Sequence, residues 1–128
     1  MSSAVYDTRF FVENYYASQL TIVKKLRETW KKAKEHFIST ITIHEIYQLT
    51  LRKEGRETAI LRATVLEQDY KVVEVNAKIA RLSAEVRLKY RMSMADSIIA
   101  ATALFLKATC VSDDLHFKAV KEIKTDWI

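Results

Sequence analysis

Proline is absent from this 128-residue chain, and glycine occurs once, at Gly55. A dinucleotide fingerprint and a phosphate-cradling P-loop both need several glycines, because only glycine lets the backbone approach a phosphate closely. Both are excluded, together with collagen-like sequence, Gly/Ser linkers and many-turned all-β designs. Cysteine is also single, at Cys110, which removes an internal disulfide and any Cys-based zinc cluster. Its apolar neighbours place the thiol in a core. Long apolar runs are missing as well. The longest, residues 98–106, is interrupted by Thr102 and falls far short of the ~20 residues that span a membrane. The start, Met1-Ser2-Ser3-Ala4, has no basic segment leading into an apolar one, so no secretory leader is read there. The expectation is a helix-rich, soluble, cytoplasmic protein with short polar connections.

What is present points to one packed domain, residues 1–128. Hydrophobic residues make up 49% of the chain and charged residues 29%, enough to build a core and too apolar for disorder. Twenty-one Lys and Arg stand against sixteen Asp and Glu, a net charge of +5. That excess is compatible with a phosphate-rich partner without requiring one. Ala4-Val5-Tyr6 reads as a short buried strand ending at Asp7, followed by helices over about 8–17 and 20–35. Residues 36–41 form a second strand. A helix opens at Thr42 and ends near Gly55, and a charged helix covers about 56–68. The β-branched run 70–75 is a third strand. Asn76 caps a helix reaching Tyr90, and a nearly all-apolar helix over about 95–107 must be buried. A fourth strand at 109–112, a short helix at 114–120 and an edge strand at 123–127 complete the chain. Strands alternating with helices specify an α/β domain with a four- or five-stranded, mostly parallel sheet.

In such sheets reactive groups collect at the carboxyl ends of the strands, where the strand order reverses. Acids stand there. Asp7 closes the first strand, Glu45 lies in the first helical turn after the second, and Asp113 and Asp114 close the fourth. Asp96 opens the apolar helix among Met92, Met94, Ala95, Ile98 and Ile99. Each has a plain alternative. Thr42-x-x-Glu45 matches a capping box and Ser93-x-x-Asp96 its aspartate version, while Asp7 and Asp114 can serve as N-caps. Capping does not require that every acid sit on one side of the sheet, yet this register puts them there. Clustered carboxylates must protonate, pair with a cationic side chain or bind a cation. An all-oxygen set without nearby His or Cys suits Mg²⁺ or Mn²⁺. His36, His44 and His116 lie in different elements and are expected on the surface or in packing.

Four stretches resemble the motifs of the PIN domain, a Mg²⁺/Mn²⁺-dependent ribonuclease fold used by the toxin subunit of VapBC toxin–antitoxin pairs. Val5-Tyr6-Asp7-Thr8 is similar to its opening strand and acid, and Ser39-Thr40-Ile41-Thr42-Ile43-His44-Glu45-Ile46-Tyr47 to its second motif. Met94-Ala95-Asp96-Ser97-Ile98-Ile99-Ala100-Ala101-Thr102-Ala103 carries the acid-then-IAA run of the third. Val111-Ser112-Asp113-Asp114-Leu115-His116-Phe117 resembles the fourth, where counting back from Phe117 favours Asp114 and leaves Asp113 as the alternative. The resemblance implies a three-layer α/β/α domain and hydrolysis of RNA phosphodiesters. It implies Asp7, Asp96 and Asp114 as ligands of Mg²⁺ or Mn²⁺, and Glu45 as holder or base of the attacking water. Thr8 and Ser112 would orient ligands or a phosphate oxygen, or act only as caps. A cognate antitoxin and a homodimer are implied as partners.

Arg9, Arg52, Lys53, Arg56, Arg87, Lys89 and Arg91 form either a solvated helix face or a rim for the RNA backbone. Phe10, Phe11, Tyr15 and Tyr16 outnumber what one core-facing stripe needs. The surplus is expected to form an apolar patch covered by an antitoxin segment or a second copy. Two other readings stand beside the nuclease. One is a catalytically silent PIN-like module that binds RNA or protein. The other is a phosphorylation-type receiver, which needs an aspartate ending the third strand, where Val75-Asn76 stands instead.

Overall fold

The computed structural model describes residues 1–128. Short, mostly apolar runs pair as strands and the stretches between them return over the sheet as helices. In chain order these are β1 (Ser3–Tyr6), α1 (Thr8–Tyr16), α2 (Leu20–Lys31), β2 (Glu35–Ser39), α3 (Thr40–Glu54), α4 (Arg56–Asp69), β3 (Lys71–Val73), α5 (Ala77–Tyr90), α6 (Met94–Leu106), β4 (Thr109–Val111), α7 (Leu115–Lys118) and β5 (Thr125–Asp126). All strand pairings are parallel, in the order β3-β2-β1-β4-β5. The chain therefore works outward from β1 in one direction and then, after β3, returns to build on its other side. The reversal point lies between β1 and β4.

A parallel sheet is covered on both faces, and the alternation along β1 shows it. Ala4 and Tyr6 face a core with Phe10, Phe11, Leu26, Ile46 and Leu66, drawn from α1 to α4. Val5 faces the opposite core with Val86, Ile99, Ala100, Ala103 and Phe117, drawn from α5 to α7. This is the three-layer α/β/α arrangement. The small residues of α6 let it lie close to the sheet, and the Thr102 hydroxyl is satisfied inside the helix by donating to the Ile98 carbonyl at 2.8 Å. No helix is long and apolar enough to cross a membrane.

Gly55 joins α3 to α4 with φ +94°, a conformation that L side chains resist. Elsewhere the chain manages without glycine. Arg91 and Lys107 take left-handed φ values of 54° and 53° at the ends of α5 and α6. At α6 the Ala108 amide donates to the Ala103 carbonyl at 2.9 Å and the Lys107 amide to the Leu104 carbonyl at 3.2 Å. That is a Schellman closure, usually made by glycine.

Some boundaries differ from the sequence expectation. The second strand stops at Ser39 because the Ser39 hydroxyl accepts from the Ile41 amide at 3.2 Å and starts α3 there. Thr42 therefore lies inside the helix, fully buried with its hydroxyl unpartnered, and no Thr42–Glu45 capping box forms. The fifth strand is shorter than expected. The aromatic surplus of α1 also resolves differently. Phe10 and Phe11 are buried, but Tyr15 and Tyr16 do not form an open apolar patch. The Arg62 guanidinium lies over the Tyr15 ring at 4.1 Å and donates to the Tyr16 hydroxyl at 2.8 Å, while Tyr16 donates to Glu54 at 2.5 Å.

Candidate metal centre

Asp7 is placed by the sheet. Its amide donates to the Val111 carbonyl at 3.1 Å, extending the β1–β4 ladder by one residue and holding the side chain at 2% exposure. It occupies the N-cap position of α1, yet its carboxylate makes no capping bond. It accepts instead from the buried Ser112 hydroxyl at 2.7 Å. The same Ser112 oxygen accepts from the Asp114 amide at 3.1 Å. One side chain at the end of β4 thus fixes both Asp7 and the turn that carries Asp114.

Glu45 is half-buried and receives the Thr8 hydroxyl at 2.5 Å, a link from the first turn of α1 to α3. Asp96 is half-buried in the first turn of α6, where the Ser93 hydroxyl caps its amide at 3.2 Å. The two adjacent aspartates separate. Asp113 turns to Arg9, whose Nε donates to it at 2.5 Å and whose second guanidinium nitrogen donates at 3.2 Å. That pairing holds the Asp113 carboxyl below the usual carboxylate range. Asp114 caps α7 by accepting from the His116 amide at 2.9 Å, and it is the one that meets Asp96.

His116 lies on the surface, as the sequence leads one to expect, but the expectation of an all-oxygen site with no histidine nearby is corrected. The structure brings Asp96, Asp114 and His116 together, each offering a donor atom within 4.8 Å of the others. The imidazole Nδ1 lies 2.8 Å from the Asp114 carboxylate. The signal was local: in a one-turn helix, a histidine two residues after a capping aspartate sits beside it. The other two histidines lie elsewhere. His36 stacks on Trp30 with ring centroids 3.8 Å apart and bonds the Tyr6 hydroxyl at 2.6 Å, and His44 is exposed on α3.

The charge at this edge is only partly offset by the protein, through Arg9 and His116. Burial pushes Asp7 up to about 7, the Ser112 hydrogen bond pulls it partly back, and the charges of Asp96 and Glu45 raise it further. Asp96 is raised by burial and then by Asp114. Carboxylates held close with elevated proton affinity are what a divalent cation relieves. Asp96 and Asp114, with His116, form the close donor group; Asp7 and Glu45 stand outside it, Asp7 near enough to Asp96 for their charges to interact.

Comparison with known proteins places the fold. No curated protein sequence matches the chain. Among solved structures it is similar to VapBC2 from Rickettsia felis bound to a promoter DNA fragment, at 17% identity over 98% of both chains with a TM-score of 0.79. It is similar to DNA-bound VapBC from Salmonella typhimurium, at 16% identity over 99% of this chain and 98% of that one, TM-score 0.80. It is also similar to VapC20 of Mycobacterium tuberculosis, a Sarcin-Ricin loop cleaving toxin, at 17% identity over 92% and 95%, TM-score 0.76. At these identities the likeness is one of fold. The PIN domain profile, by contrast, matches the sequence itself over residues 4–123, nearly the whole span from β1 to the approach of β5, and on that ground the chain belongs to the PIN domain family.

Proposed function

We propose that this chain is a single-domain, cytoplasmic, divalent-metal-dependent endoribonuclease acting as the toxin of a toxin–antitoxin pair. The observation that carries the reading is the convergence of under-neutralised carboxylates at the reversal point of a PIN sheet. Asp7, Asp96 and Asp114 would hold Mg²⁺ or Mn²⁺. The ion, when bound, supplies charge stabilisation for in-line displacement at a phosphodiester. The residues of the chain do the rest. Glu45, oriented by the Thr8 hydroxyl, takes a proton from the attacking water. Ser112 keeps Asp7 and the Asp114 turn in register through one buried hydroxyl. The net charge of +5 favours an RNA backbone approaching an acidic site.

Two surfaces suit the protein partners. A groove of about 540 Å³ between α1, α2 and the end of α4 is lined by Phe10, Val23, Leu26, Trp30 and Tyr70. Its form suits an apolar helix face from an antitoxin, and one similar solved structure is a toxin-antitoxin complex from Klebsiella pneumoniae. On the opposite side, Leu88 at 85% and Met94 at 61% exposure leave apolar surface on α5 and α6 for a second copy.

The test is RNA cleavage by the metal-stripped chain with and without added Mg²⁺ or Mn²⁺, repeated with Asp96→Asn. Cleavage that needs the ion and disappears in the variant supports the nuclease. RNA binding without cleavage under every condition would replace it with the silent binding module.

A further inference from the structure

We infer that His116 supplies a nitrogen donor beside Asp96 and Asp114, and that this nitrogen makes the centre favour a transition ion such as Mn²⁺ over Mg²⁺. The inference rests on the metal-centre reading above and goes further by naming the residue that selects the ion. Geometry comes first. Two ligands about 2.1 Å from one ion and at right angles to each other stand about 3 Å apart. The imidazole Nδ1 and the Asp114 oxygen are 2.8 Å apart, the spacing of neighbouring ligands, and Asp96 lies within 4.8 Å of both.

The ring's one hydrogen-bond partner in the structure is the Asp114 carboxylate. The α7 cap uses the His116 backbone amide, not the imidazole. At 63% side-chain exposure the ring adds no core packing, and an exposed ion pair with Asp114 would contribute little to stability. What the ring does add is the only nitrogen in the donor cluster of Asp96, Asp114 and His116. Mg²⁺ takes oxygen ligands and retains its waters, so it gains little from imidazole. First-row transition ions accept nitrogen more readily, so a carboxylate set that treats Mg²⁺ and Mn²⁺ nearly alike becomes selective once an imidazole joins it.

The experiment uses the full chain, stripped of metal and titrated with Mn²⁺. Pulsed electron paramagnetic resonance of the bound ion reads ¹⁴N modulation from a coordinated imidazole. The expected result is clear modulation in the natural protein and its loss in His116→Gln. The ratio of Mn²⁺ to Mg²⁺ affinity should fall by about tenfold in that variant, mostly through weaker Mn²⁺ binding. The substitution keeps the backbone cap of α7, and circular dichroism checks the fold. Mn²⁺ bound without ¹⁴N modulation overturns the role of His116 and leaves the carboxylate centre standing. Equal weakening of both ions, as when the ring merely steadies Asp114, also overturns it. Failure to bind Mn²⁺ at all overturns the metal-centre reading and this inference together.

Discussion

Replacing Asp7 with asparagine should make the metal-free protein more stable at alkaline pH. Asp7 is buried and its folded-state pKa is about 7, with burial as the main cause. An unfolded aspartate titrates near 3.9. Between those values the native state holds a proton that the unfolded chain has released, so the stability contributed by the protonated Asp7 falls as pH rises and is lost above the folded pKa. The gap is roughly three pH units at about 1.36 kcal/mol each, a ceiling of about 4 kcal/mol. Relaxation around the charge brings the expected gain to roughly 2–4 kcal/mol. Asparagine carries no charge, matches the shape and still accepts the Ser112 hydroxyl. For a domain of this size that gain raises Tm by roughly 8–15 °C at pH 8.5. The assay is thermal unfolding by circular dichroism in chelator from pH 4 to 9, with the difference shrinking towards zero at the acid end. Mn²⁺ should then stabilise the natural protein and not the variant. If Asp7→Asn proves no more stable than the natural chain at pH 8.5, the view of Asp7 as an uncompensated buried charge is wrong.

Other outcomes follow from the same geometry. Asp114→Asn should abolish metal-dependent RNA cleavage, whereas Asp113→Asn should leave it within about threefold, since Asp113 spends its charge on exposed Arg9; parallel cleavage assays decide. Thr8→Val frees Glu45 and should slow cleavage about tenfold to a hundredfold with Mn²⁺ affinity almost unchanged, which single-turnover kinetics and metal titration separate. Lys107→Gly relieves a left-handed residue at the end of α6 and should add about 1 kcal/mol, read as a higher denaturant midpoint with unchanged slope.

Much of this architecture was written in local pattern. Short apolar runs marked the strands, the third by its β-branched residues, and the nearly all-apolar stretch of α6 announced a buried helix. Acids at strand ends were visible because Asp7, Asp96 and Asp114 follow or precede those runs directly. Their approach to one another was not local: it depends on β1 lying between β2 and β4, a pairing of distant segments. The capping box at Thr42 failed because a serine three residues earlier offered its hydroxyl to the helix first, which turned Thr42 inward. Tyr15 and Tyr16 looked surplus in α1 because Arg62, which covers them, arrives from α4. His116 was overlooked because a lone histidine followed by Phe117 reads as helix packing. Its partner Asp114 is favoured by its spacing from Phe117, with Asp113 as the alternative, and in the structure Arg9 pairs with Asp113.

The double engagement of Ser112 has a mechanical consequence. Its hydroxyl donates a hydrogen bond to one acid and accepts one from the backbone beneath another, so the two are yoked through a single atom. Sliding β4 against β1 would drag both together. Alanine there would cut both ties at once, and threonine alone among simple replacements keeps a hydroxyl able to serve two masters in so little space.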